Sequence, residues 1–66
     1  MDIKQIQAFI SVVDTGSFNS AAKVLYTSVS QVSKQVKSLE EEVSCKLLER
    51  KKTGVTLTEE GVIFQG

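Results

Sequence analysis

The 66-residue chain has no histidine, no proline, one cysteine and a formal net charge of zero. Without histidine, a His general base and a His metal ligand are both excluded, and one cysteine alone cannot make a zinc site. One cysteine also excludes an internal disulfide. With no signal-like segment, a reducing cytoplasm is the expected compartment. The longest unbroken apolar run is far too short to span a membrane. Zero net charge means that bulk electrostatics gives no push toward nucleic acid. With no proline, segment boundaries rest on caps and glycine.

What is present fits one small domain with one core, since an apolar content of 41% argues against disorder. A domain of this size buries only roughly 60% of the surface its unfolded chain exposes, so marginal stability is expected. The charge is unevenly spread. Residues 1–27 cancel, residues 28–54 carry six cations against four acids, and residues 55–66 hold only Glu59 and Glu60. The positive excess therefore lies in the middle of the chain.

In that middle stretch, Val29, Val32, Val36, Leu39 and Val43 recur at spacings of 3, 4, 3 and 4 between Ser28 and Val43. At about 100° per residue they form one stripe of a helix. The opposite face carries Ser30, Gln31, Lys34, Lys37 and Ser38, and the acids Glu40, Glu41 and Glu42 come late. The helix can bury one face and push its N-terminal half into something negatively charged. Ser28 is its expected N-cap, with Gln31 at the capping-box position.

Ahead of it, Ile3, Ile6, Phe9, Ile10 and Val13 predict an amphipathic helix from about Asp2 to Thr15, with Asp2 as N-cap. Gly16 supplies a left-handed stop and Ser17 a second cap. Phe18, Ala21, Ala22 and Leu25 then predict a shorter helix, whose small alanines allow close approach of a neighbour. Tyr26 and Thr27 leave room only for a tight turn. Three helices separated by tight turns are a helix-turn-helix arrangement.

Beyond Val43 the pattern changes to Leu47 and Leu48, the basic cluster at Arg50, Lys51 and Lys52, then Thr53-Gly54 and an alternation of Val55, Thr56 and Leu57. Two short strands around a turn are expected, with the basic cluster at or near the tip. Thr58 is placed to cap a fourth helix opening with Glu59 and Glu60. Its Val62, Ile63 and Phe64 have no evident partner, which reads as a cut through the start of a longer helix. The fold class is thus mainly α, with a three-helix core, a two-stranded β wing and the start of a fourth helix.

The segments IQAFISVVDTGSFNSAAKVLYTS, VSKQVKSLEEEV, LLER and LTEEG, in this order and spacing, resemble the N-terminal DNA-binding domain of LysR-type transcriptional regulators. The resemblance covers essentially the whole chain. It implies a winged helix-turn-helix over residues 1–58, and at residues 59–66 the start of a linker helix that mediates dimerisation. Double-stranded DNA is the implied partner, with a probably pseudo-palindromic operator, a homo-oligomeric parent and a small effector bound by a further C-terminal domain. The third helix, about Ser28 to Val43, would enter the major groove, and the wing, about Leu48 to Leu57, would lie on the backbone. No cofactor, metal or catalytic residue is implied. The family's usual Gln-Pro after the capping Ser is replaced by Val29 and Ser30, which leaves the carry-over of a groove contact to Val29 open. Ser44 stands where Gly is usual, and Leu48 where Phe is usual.

Within that frame the candidate contacts are Thr27, Ser28, Ser30, Gln31, Ser33, Lys34, Arg50, Lys51 and Lys52. Lys34 lies near the centre of the polar face and suits guanine O6/N7 or a phosphate. Ser30 and Gln31 sit in the first turn, where a recognition helix meets base edges. Gln31 can pair with adenine or instead close the cap on Ser28. Ser33 and Thr27 suit phosphate oxygens, with packing a rival role for Ser33. Ser28 is foremost a cap. Of the basic cluster, Arg50 is the first choice for a backbone contact, and Cys45 reads as a packing thiol. The competing reading is a winged helix used for protein–protein contact, favoured by the zero net charge and the three consecutive acids.

Overall fold

Asp2 opens the first helix with extended backbone, and its Oδ1 accepts from Lys4 N–H at 3.3 Å while Gln5 Oε1 accepts from Asp2 N–H at 3.0 Å. This reciprocal pair satisfies two donors of the first turn. The computed structural model describes residues 2–51 and 54–65, the side chain of Gln65 excepted. Helix α1 spans Ile3–Thr15 and ends at Gly16, whose φ of 74° is the left-handed closure that glycine adopts without penalty. Ser17 then caps α2, Phe18–Val24, by accepting from Ser20 N–H.

The α2–α3 turn closes through Tyr26 N–H to the Lys23 carbonyl at 3.2 Å and Thr27 N–H to the Ala22 carbonyl at 2.9 Å. These bonds hold Tyr26 at a φ of 56° although it carries a bulky side chain. Helix α3 spans Val29–Val43 and is capped by Ser28 Oγ, which accepts from Gln31 N–H at 3.1 Å. It ends at Ser44, with φ 59° and ψ 30°. A non-glycine residue costs about 1–2 kcal/mol in this region, partly offset by the extra freedom glycine loses on folding. Ser44→Gly is therefore expected to stabilise the domain by about 0.5–1 kcal/mol, raising the thermal midpoint by several degrees. A midpoint that stays level or falls would show that Ser44 carries no backbone strain.

Strands β1, Leu48–Lys51, and β2, Gly54–Leu57, pair antiparallel from Leu48 opposite Leu57 to Lys51 opposite Gly54. The expected alternation holds, with Val55 and Leu57 half-buried and Thr56 exposed. The hairpin is fastened at both ends. Val55 N–H donates to the Gly16 carbonyl at 3.2 Å, and Thr58 N–H donates to the Leu47 carbonyl at 3.0 Å. Helix α4, Glu59–Gln65, starts from Thr58, whose Oγ1 accepts from Gly61 N–H and donates to the Lys46 carbonyl.

The core gathers Ala8, Phe9 and Val12 of α1, Ala21 and Ala22 of α2, Val32, Val36 and Leu39 of α3, and Leu47 and Leu48. Two expectations are corrected here. The buried stripe of α1 is rotated toward Ala8 and Val12, leaving Ile3 68% and Ile10 41% exposed. Ala8 is small enough to let its helix pack closely, which a count of large apolar residues does not register. Phe64 is not without a partner, since its ring meets Phe9 edge-on with centroids 5.6 Å apart and planes at 80°. Val62 and Ile63 do remain exposed. Val29, the first residue of the α3 stripe, is also 40% exposed, because the core ends one turn short of it.

Candidate nucleic-acid interface

The buried side of α3 fixes what its other side presents. Val32, Val36 and Leu39 point into the core, so Ser30, Gln31, Lys34 and Lys37 stand in solvent along the opposite face. Thr27 and Ser28 are exposed at the turn leading into that face. The Gln31 side chain does not return to Ser28 N–H among the described residues, and the cap is carried by the Ser28 hydroxyl. Of its two expected roles, Gln31 is thus left with the one that faces outward.

The wing stands beside this helix. Arg50 and Lys51 of β1 are exposed, while Lys52 and Thr53 lie outside the described residues. Arg50 reaches back across the gap. Its Nη2 lies 3.5 Å from Ser33 Oγ, and its guanidinium carbon lies 4.2 Å above the centre of the Phe18 ring. Ser33 is half-buried and shares Arg50 with the wing rather than standing alone. The structure therefore brings Ser33 and Arg50 together. It places Ser30, Gln31 and Lys34 on one exposed strip, and sets Thr27 and Ser28 at its head.

The acidic end of α3 has a use that composition did not disclose. Glu40 Oε2 accepts from Leu47 N–H at 2.8 Å and from Leu48 N–H at 3.1 Å. A carboxylate taking two backbone donors at the start of β1 ties the end of α3 to the root of the wing. That turns Glu40 inward, away from the exposed strip. Phe18 was likewise legible only as an apolar helix residue. No pattern in the sequence announces a ring placed under an arginine 32 positions later. Cys45 is half-buried against the core, as expected of a packing thiol. Among the described residues no group of three or more His, Cys, Asp and Glu side chains is assembled as a metal site, and no helix is long and apolar enough to cross a membrane.

Comparison with known proteins points the same way. A family model described as bacterial regulatory helix-turn-helix protein, lysR family, matches residues 3–62. The HTH-type transcriptional activator AaeR of Escherichia coli (strain K12) is 44% identical over 62 residues, covering 94% of this chain and 20% of AaeR. The HTH-type transcriptional regulator TfdT of Cupriavidus pinatubonensis is 36% identical over 64 residues, covering 97% of this chain and 28% of TfdT. The chain thus spans 20–28% of the length of these two relatives. Among solved structures, the BenM DBD in complex with catB site 1 DNA superposes with a TM-score of 0.91 at 38% identity, over 97% of this chain and 72% of that one. Full-length CbnR complexed with its target DNA gives a TM-score of 0.91 at 36% identity, over 97% of this chain and 22% of that one.

Proposed function

Since the chain belongs to the lysR family of bacterial regulatory helix-turn-helix proteins, we propose that it binds double-stranded DNA through the N-terminal half of α3 and the wing, as the DNA-binding unit of a transcription regulator. The observation that carries the reading is the exposed strip of Ser30, Gln31 and Lys34 on a helix whose other side is locked into the core, with Arg50 of the wing beside it. A helix of this diameter fits the major groove of B-DNA, and base edges there offer the acceptors and donors that Lys34 and Gln31 complement. Thr27, Ser28 and Ser33 supply hydroxyls to phosphate oxygens, and Arg50, Lys51 and Lys52 supply charge to the backbone. Pointing the N-terminus of α3 at the groove sends Glu40, Glu41 and Glu42 away from DNA, which reconciles binding with zero net charge.

Two of the similar structures, BenM DBD and CbnR, were solved with DNA, which supports carrying that partner over to this chain. The domain assignment follows the same reading. Residues 1–58 form the winged unit, and residues 59–66 begin a linker helix that joins two copies on a pseudo-palindromic operator. A small effector belongs to a further domain, consistent with the fraction of its relatives that this chain spans. A purely protein-binding winged helix is less well supported, since Glu40 is engaged with the backbone of Leu47 and Leu48 rather than offered at a surface.

The test is a duplex titration of the full-length protein at several salt concentrations. Binding through this face predicts that log affinity falls linearly with log salt, by about 0.9 for each phosphate neutralised. A duplex affinity that does not respond to salt, or no duplex affinity at all, would sink the reading.

A further inference from the structure

Three segments meet at one side chain. Arg50 leaves β1, lies over the ring of Phe18 at 4.2 Å, and brings Nη2 to 3.5 Å from the hydroxyl of Ser33. Phe18 is the first residue of α2, and Ser33 lies in the second turn of α3. Phe18 is half-buried and packed against the core, so its ring is a fixed platform rather than a loose surface group. Arg50 itself is exposed.

The chemistry of this arrangement is specific to arginine. A guanidinium is planar and carries its five N–H donors in that plane. Contact through the flat face uses the ring's negative π-cloud and consumes no N–H. The donor-rich edge is left for an acceptor, and Ser33 sets the rotation of the plane over the ring. An exposed arginine otherwise samples many rotamers and must be ordered when it meets a phosphate, which costs affinity. Here the ordering is done within the folded domain.

We infer that Phe18 is a positioning residue for DNA binding: its ring pre-orders the Arg50 guanidinium so that the edge of the group meets a backbone phosphate. The inference rests on the reading of α3 and the wing as a DNA interface, and it adds a residue that touches no DNA. It also explains why the wing and the recognition helix act as one surface, since the same arginine bridges them.

The experiment is a double-substitution cycle in the full-length protein, read as duplex affinity against salt, with thermal midpoints measured alongside. The variants are Phe18→Leu, Phe18→Tyr, Arg50→Ala and the Phe18→Leu/Arg50→Ala pair. Arg50→Ala should lower affinity and reduce the salt slope by about 0.9, the signature of one lost phosphate contact. Phe18→Leu keeps the charge and the apolar packing, so it should weaken binding roughly two- to fivefold with the slope unchanged. Phe18→Tyr keeps the ring and should bind as the wild type does. In the absence of Arg50, Phe18→Leu should cost nothing further. The inference is overturned if folded Phe18→Leu binds like the wild type, or if it loses the same factor with and without Arg50, as a residue of packing alone would. A wild-type protein with no salt-dependent duplex affinity would overturn the underlying reading instead, which keeps the two failures distinct.

Discussion

Gly61→Ala should destabilise the domain by about 3 kcal/mol, even though alanine is the better helix former by about 1 kcal/mol at an exposed helical position. The sign is decided by space. A Cβ built on Gly61 would lie 2.1 Å from the Leu47 carbonyl oxygen and 3.0 Å from both the Leu47 carbonyl carbon and Leu57 Cδ2. The Leu57 methyl is the end of a flexible side chain and can turn aside, but the Leu47 carbonyl cannot. It accepts from Thr58 N–H, the Leu47 N–H is held by Glu40, and the Leu47 side chain is fully buried. Accommodating a methyl group means lifting α4 from the base of the wing and parting the Phe9–Phe64 contact. In a domain of this size each kcal/mol shifts the thermal midpoint by roughly 4–8 °C, so a fall of more than 10 °C is expected. A midpoint equal to or above that of the wild type would show that α4 does not sit against Leu47.

Lys34→Ala is expected to leave the fold alone and to strike binding. Lys34 is exposed on the far side of α3 from Val32 and Val36, so its truncation should change stability by no more than about 0.5 kcal/mol. If it reads a guanine edge, the loss in operator affinity is about 1–3 kcal/mol per copy, together with a smaller gap between operator and unrelated duplex. A protein that binds as two copies counts that loss twice. If Lys34 meets a phosphate instead, affinity for both duplexes falls alike and the salt slope drops by about one. Comparing operator with unrelated DNA across a salt series separates the two roles. Unchanged affinity for the operator would remove Lys34 from the interface.

Much of this was legible in the residues, and for identifiable reasons. Asp2, Gly16, Ser17 and Ser28 mark helix ends through local bonds within three residues, so the bounds of α1, α2 and α3 follow from short-range chemistry. The alternation at Val55 to Leu57 marked a strand for the same reason. Which face of α1 is buried was less legible. Ile6 and Ile10 lie on one flank of Phe9 and Ala8 and Val12 on the other, and only packing against the neighbouring helices chose the second. The polar strip of α3 was readable because its opposite side is an unbroken run of branched apolar residues, which leaves no choice of face.

The sequence by itself determined the order of elements, the caps that bound them, the outward strip of Ser30, Gln31 and Lys34, and the family. Each depends on residues close together in the chain, or on a spacing that survives without coordinates. Only the tertiary structure decided that Glu40 holds the root of the wing, that Gly61 lies where no side chain fits, and that Arg50 rests on Phe18 beside Ser33. Those contacts join residues 7 to 32 positions apart. No local pattern encodes them, because each depends on the angle at which two separately stable elements meet.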